Sequence, residues 1–131
     1  KKEFKHIIID GSPVMNLDNV FVDVAEHIIV PTFLDSVTTN SILNLLKKTD
    51  ISKIRAVIPN RVGRTKIEKD FYTFLKEKLN RSGVFLSIPI KQSSLILNLI
   101  EKGTLLWERR AQELEQIKNV FIKVWGEIED E

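Results

Sequence analysis

Short apolar runs alternate with longer amphipathic segments along the chain. Four of these runs, at residues 6–10, 26–31, 53–59 and 83–89, are apolar with little alternation of polar positions. Continuous apolar strands of this length are typical of a parallel sheet that is buried on both faces. The pattern therefore predicts four strands of one parallel sheet.

The intervening segments carry apolar residues at helical spacing. Helices are predicted at 17–24, at 37–48 with Asp35 or Ser36 as the N-cap, at 65–81, at 93–102 before Gly103, and from Leu114 to Ile128. Because strand and helix alternate throughout, residues 1–131 are expected to form a single α/β domain, with a parallel sheet flanked by helices on both faces.

Prolines mark the ends of three predicted strands, at Pro31, Pro59 and Pro89. Proline cannot donate a hydrogen bond to a neighbouring strand, so it indicates where a strand stops. Ligands of open parallel sheets bind outside the carboxyl ends of the strands. This edge is therefore the expected functional site.

Two polar residues lie at this edge in the prediction. Asp10 ends the first apolar run, where a carboxylate could hold Mg²⁺ through water or could simply cap the following turn. Asn60 follows the third run, where its amide offers the donor and acceptor that match an adenine edge, or serves as a turn residue. Position alone leaves both pairs of alternatives open.

Composition and charge narrow the class of protein. The chain has no cysteine, which excludes disulfides and thiolate metal sites and fits a cytoplasmic location, and no apolar run approaches the roughly 20 residues of a membrane helix. The net charge is +2, with basic residues in excess between Lys47 and Arg81 and an acidic "GEIEDE" near the end. A basic region of this kind suggests contact with a phosphate backbone.

Four segments carry a resemblance to a known family: "IIIDGSP", "EHIIVPTFLDSVTTNSILNLL", "IRAVIPNRVGRT" and "GVFLSIPIKQSSLILNLIEKGTLLWE". Together they resemble the C-terminal half of ParA/MinD-type P-loop ATPases, most closely the ParA-type partition proteins. The resemblance covers nearly the whole chain. It implies a P-loop NTPase-like fold, ATP and Mg²⁺ as cofactors, and ATP hydrolysis by the intact protein.

Residue roles follow from the resemblance position by position. Asp10 would be the catalytic Walker B acid near Mg²⁺, followed by Pro13 of the switch segment, although the family usually has two adjacent prolines where this chain has Ser12 and Pro13. Contacts with the adenine base would come from Asn60 and Arg61 and from the loop of Pro89, Ile90 and Lys91.

The resemblance also predicts something that this sequence lacks. No Gly-rich Walker A loop with its lysine occurs among the 131 residues, although such a loop cradles the phosphates in P-loop ATPases. The Walker A strand of the family lies between the Walker B strand and the next one. We therefore expect this chain to be the C-terminal part of a longer ATPase domain and not to hydrolyse ATP alone.

The partners implied by the resemblance are a second copy in an ATP-bound homodimer, nonspecific DNA and a ParB-type adaptor. The expected DNA contacts are Arg61, Arg64, Lys66 and Lys69; the alternative is a solvated helix face, since acids are interspersed at Glu68, Asp70 and Glu77. No membrane partner is expected, because acids in the last helix would be repelled by anionic lipid, unlike the basic helix of MinD-like proteins. A nucleotide-free relative that binds protein or DNA, and a MinD-like positioning ATPase, are the alternatives.

Overall fold

The computed structural model of the protein describes residues 3–11 and 15–129, with the side chains of 3–11 and 20–129. The elements are α1 (Met15–Val24), β1 (Ile28–Thr32), α2 (Ser36–Lys48), a 3₁₀ turn (Ile51–Lys53), β2 (Ile54–Pro59), α3 (Lys66–Lys78), β3 (Phe85–Leu86), α4 (Ser94–Lys102), a second 3₁₀ turn (Leu106–Glu108) and α5 (Gln112–Glu129). All five predicted helices are present.

Three of the four predicted strands form a parallel sheet in the order β1-β2-β3. Within it Val30 of β1 lies opposite Val57 of β2, and Ala56 of β2 lies opposite Phe85 of β3. The central strand is the most deeply buried, with Ala56 and Val57 inaccessible to solvent. The α/β class and the parallel sheet are therefore confirmed.

The sheet separates two apolar clusters, because successive side chains of a strand point to opposite faces. On one face Val57 and Leu86 pack with residues of α2 and α3, among them Ile42 and Leu75. On the other face Ala56, Ile58 and Phe85 pack with residues of α4 and α5, which are Leu95, Ile96, Leu99, Leu114, Ile117, Val120 and Val124. Helices thus cover both faces of the sheet, as predicted.

Local signals fix the helix ends where the sequence predicts them. Asp35 is the N-cap of α2, and its carboxylate accepts the backbone N–H of Thr38 at 2.7 Å. Gly103 ends α4 in the left-handed conformation with φ 61°, which costs glycine little because it has no Cβ. Local capping therefore sets where α2 begins and where α4 ends.

The first predicted strand is wrong. Residues 6–10 have no regular secondary structure, and Ile7 and Ile8 are 80% and 85% exposed. The segment instead contacts the end of α5, where His6 Nε2 lies 3.1 Å from a carboxylate oxygen of Glu129 and the His6 ring lies edge-on to Trp125. Apolar residues indicate that a segment can be buried, but a strand also needs a neighbouring strand to accept and donate its backbone hydrogen bonds. No described residue forms such a strand pairing with residues 6–10.

Two further expectations are corrected. Pro31 lies inside β1 and does not end it. The carbonyl of Thr32 points toward β2, where it accepts the N–H of Asn60, so the backbone groups of the preceding Pro31 point away from β2. Because β1 is an edge strand, this side needs no N–H donor and proline is tolerated there. The apolar stripe of α1 is exposed at Val20 and Val24. This helix is tied to the rest of the chain through Lys53, whose Nζ donates to the carbonyls of Val22 and Asp23.

None of the described helices is long and apolar enough to cross a lipid bilayer.

Candidate functional site

The carboxyl ends of β1 and β2 are joined by the backbone. Asn60 directly follows β2, and its N–H donates to the carbonyl of Thr32 at the end of β1 over 2.8 Å. Asn60 is half-buried by this arrangement. The predicted base-contacting residue therefore lies at the predicted edge of the sheet.

A second loop runs alongside the first. The Ile90 N–H donates to the Pro59 carbonyl at 2.8 Å, the Val62 N–H donates to the Ile90 carbonyl at 3.0 Å, and the Gln92 N–H donates to the Val62 carbonyl at 3.1 Å. Val62 and Lys91 form an isolated parallel bridge. Because Val62 and Ile90 are also buried, the two loops form one unit.

This unit brings together five of the predicted site residues, which the sequence separates by about thirty positions: Asn60, Arg61, Pro89, Ile90 and Lys91. They differ in what they can offer a ligand. Ile90 is buried and serves the core, Pro89 is half-buried, and Arg61 and Lys91 are exposed. The edge therefore presents an amide and two cations to solvent, a combination suited to a polar or anionic ligand.

Arg61 has a strained backbone. Its φ of 53° lies in the left-handed region, which residues with a Cβ rarely adopt. The Asn60 Oδ1 accepts the Arg61 N–H at 2.9 Å, and the guanidinium lies 5.9 Å from the centroid of the Phe33 ring. The surrounding contacts thus hold Arg61 in a defined place at the edge.

The loop continues into α3 through a carboxylate. Glu68 accepts the Gly63 N–H at 2.6 Å and the Thr65 hydroxyl at 2.7 Å, while the Thr65 hydroxyl oxygen accepts the Glu68 N–H in a capping box. The bonds from Thr65 and Gly63 hold the pKa of Glu68 below its ordinary value of 4.5. A Cβ on Gly63 would lie only 2.9 Å from Glu68 Oε1, so the close approach of the carboxylate to this backbone favours glycine.

Four predicted DNA contacts surround this loop. Arg61, Arg64, Lys66 and Lys69 are all exposed, and none of them forms an ion pair with a carboxylate among the described residues. Unpaired exposed cations are free to approach a phosphate backbone. They surround the N-terminal turn of α3.

Asp10 is not brought to this edge by a strand. It lies exposed in the irregular segment of residues 3–11, and Pro13 lies outside the described residues. No group of three or more acidic, histidine or cysteine side chains suited to a metal occurs in the described part of the chain. Since Mg²⁺ is usually held by one or two carboxylates together with substrate phosphates, the role of Asp10 stays a prediction about a nucleotide-bound state.

The sequence gives little sign of Phe33, which the structure places beside Arg61. It follows β1 in "VPTFLD", where an aromatic residue after a strand is as typical of a core position as of a site. Its exposure of 47% at the sheet edge is what distinguishes it.

A scan against models of protein families, a search of curated proteins and a search of solved structures each found no match for this chain. Function is therefore inferred from the residues of this chain and their geometry.

Proposed function

We propose that this chain is the base-binding part of a ParA-type partition ATPase, with a P-loop NTPase-like fold. The observation that carries the proposal is the pairing of the Asn60–Gly63 loop with the 89–92 loop at the carboxyl ends of a parallel sheet. In such sheets this is the edge at which ligands bind. Two loops that the resemblance assigns to the adenine base are neighbours here.

The proposed roles follow from what each side chain can do. Asn60 donates and accepts hydrogen bonds at the adenine edge, while the half-buried Pro89 offers an apolar surface beside the base and the buried Ile90 supports the loop from the core. Arg61 and Lys91 supply positive charge. Asp10 is proposed to orient Mg²⁺ through water when ATP and a phosphate-binding loop are present.

Calorimetry on the full-length gene product with ATP and Mg²⁺ tests this proposal. Asn60→Ala removes two hydrogen bonds to the base, so we expect ATP affinity to fall about 10-fold and the preference for ATP over GTP to shrink. Asn44→Ala, which truncates an exposed asparagine of α2, is the matched control and should leave both unchanged. Absence of ATP binding by the unmodified protein would exclude the proposed function.

Nonspecific DNA binding by an ATP-bound homodimer, with a ParB-type adaptor, belongs to the same proposal. The support for the DNA part is the group of exposed cations around the start of α3, none of which forms an ion pair with a described carboxylate. Binding of this kind depends on charge and not on base sequence.

A second candidate is a nucleotide-free relative that acts as a protein- or DNA-binding module. The observation that favours it is the group of exposed cations around the start of α3, which could bind a phosphate backbone without a nucleotide. This candidate expects DNA binding without any heat from ATP, so the same calorimetry separates the two.

A further inference from the structure

Phe33 is a large apolar side chain that is left exposed at the candidate site. It directly follows β1, with 47% of its surface accessible, whereas its neighbour Leu34 is buried in the cluster under α2 and α3. The ring therefore contributes little to the core. Its defined contact with a charged group is the guanidinium of Arg61, 5.9 Å from the ring centroid.

The backbone fixes this pair from both sides. The Thr32 hydroxyl donates to the Phe33 carbonyl at 2.9 Å, and the Thr32 carbonyl accepts the N–H of Asn60 at 2.8 Å. On the other side, Asn60 Oδ1 accepts the N–H of Arg61. These three hydrogen bonds thus connect the backbone of Phe33 to the backbone of Arg61 through Thr32 and Asn60.

Arg61 keeps this place despite an unfavourable backbone. A left-handed φ is unfavourable at a residue with a Cβ, and such strain persists where surrounding contacts determine the conformation. A guanidinium is planar, so one face can rest on an aromatic ring while the opposite face stays available. Arg61 directly follows Asn60 in the chain, so its guanidinium and the Asn60 amide belong to the same loop at the sheet edge.

We propose that Phe33 is a positioning residue: its ring holds the Arg61 guanidinium at the sheet edge, where the guanidinium stacks on the nucleobase whose edge is bound by Asn60. This inference rests on the proposed nucleotide-binding function and assigns Arg61 to the base and not to the phosphates. Phe33 acts through Arg61 and need not touch the nucleotide itself.

A double-mutant cycle on the full-length gene product tests the inference. Loss of one exposed cation–π contact should weaken Mg²⁺-ATP binding about threefold in Phe33→Leu, while Phe33→Tyr keeps a π face and should bind normally. In an Arg61→Ala background Phe33→Leu should have no further effect, since the ring then has nothing to position. Binding of tripolyphosphate, which has no base, should not change in Phe33→Leu.

The chain offers a matched control in a second pair of the same kind. Lys78 Nζ lies 5.5 Å from the Phe74 ring on α3, so Phe74→Leu removes a cation–π contact away from the sheet edge and should leave ATP affinity unchanged. Thermal unfolding of each variant checks that it is folded.

The outcomes separate the two claims. Equal ATP affinity in Phe33→Leu and unmodified protein, additive effects of the two substitutions, or parallel weakening of ATP and tripolyphosphate would each overturn the role of Phe33 and leave the proposed function standing. If the unmodified protein fails to bind ATP, the proposed function falls and the inference falls with it.

Discussion

Glu68 shows how a single carboxylate organises the loop at the candidate site. It accepts hydrogen bonds from the Gly63 N–H, the Thr65 N–H and the Thr65 hydroxyl, and so connects the loop after β2 to the first turn of α3. A carboxylate at this point also interacts favourably with the positive end of the helix dipole. The loop geometry is therefore sensitive to the charge of Glu68.

We expect Glu68→Gln to lower the free energy of unfolding at pH 7, and the difference from the unmodified protein to vanish in acid. The pKa of Glu68 is depressed in the folded chain by its bonds to Thr65 and Gly63, so its stabilisation is complete above the ordinary value of 4.5. It is lost as the pH falls through the lower folded pKa. Urea unfolding at pH 7 and pH 3 measures the difference.

The control for this prediction is Glu77→Gln, on an exposed position of the same helix. It changes the net charge by the same amount without removing a loop contact. An equal effect of both substitutions at pH 7 would show that overall charge, and not the loop contacts, carries the stabilisation.

Arg61 is a position where stability and binding are expected to diverge. Arg61→Gly relieves the left-handed strain but adds flexibility to the unfolded chain, so the free energy of unfolding should change by less than about 1 kcal/mol. ATP affinity should fall, because the guanidinium is lost. Chemical denaturation and calorimetry on the same variant measure the two effects.

Arg81 provides a comparison, because it also has a left-handed φ, of 60°, and lies beyond the end of α3. Arg81→Gly should match Arg61→Gly in stability and leave ATP affinity unchanged. If both variants lose ATP affinity to the same degree, position at the sheet edge is not what matters at Arg61.

For single residues, the sequence predicts which polar side chains lie at the sheet edge better than it predicts the apolar side chains beside them. Asn60 and Lys91 follow apolar runs that do become neighbouring segments of one edge, so their meeting follows from parallel topology. The sequence does not assign Phe33 to the site, because a phenylalanine after a strand fits a core position equally well. The prediction that Asp10 lies at the sheet edge depends on the preceding isoleucines forming a strand, and these isoleucines lie outside the sheet.

Among the elements, the helices agree best with the sequence because their signals are local. A capping side chain, a glycine stop and 3.6-residue periodicity each act within one or two turns. In α5 the apolar residues at helical spacing include Leu114, Ile117, Phe121 and Val124, but Phe121 is 42% exposed and its neighbour Val120 is buried instead. Which of two adjacent apolar residues is buried depends on where the sheet lies relative to the helix, and helical periodicity alone does not give this position.

Strands depend on partners that are distant in sequence. The run at 83–89 forms only two residues of regular strand, although its later residues still bond to β2 through the Ser87 N–H and the Val57 carbonyl. The run at 6–10 is also rich in apolar residues but has no strand partner among the described residues. Composition therefore indicates which segments can enter a sheet, and tertiary pairing decides which do.

The two helical layers should contribute independently to stability. Leu75 of α3 and Leu114 of α5 are both inaccessible to solvent and lie in separate clusters on opposite faces of the sheet. We expect Leu75→Ala and Leu114→Ala each to reduce the free energy of unfolding by about 2–5 kcal/mol, through lost burial and an unfilled cavity. Urea denaturation at pH 7 measures both.

Leu97→Ala is the matched control, because this leucine of α4 is 56% exposed. It should cost far less than either buried leucine. A cost for Leu114→Ala no larger than that for Leu97→Ala would mean that α5 does not pack on the sheet.

For the whole molecule, charge is distributed so that one part of the surface is suited to polyanions. The net charge is only +2, but Arg61, Arg64, Lys66 and Lys69 lie within nine consecutive residues and pair with no described carboxylate. Net charge therefore understates the attraction of this region for a phosphate backbone.

Salt dependence of DNA binding by the full-length gene product tests whether this region forms the contact. Each phosphate contact contributes about 0.9 to the slope of log affinity against log salt, so the triple variant Arg64→Gln, Lys66→Gln, Lys69→Gln should lower the slope by up to about 3. The triple variant Lys47→Gln, Lys48→Gln, Lys102→Gln removes the same charge at the ends of α2 and α4. Its slope should stay near that of the unmodified protein, because a counterion-release slope counts phosphates in contact and not total charge. Equal loss of slope in both triples would assign DNA binding to the overall charge, and an unchanged slope in the first triple would remove the start of α3 from the DNA contact.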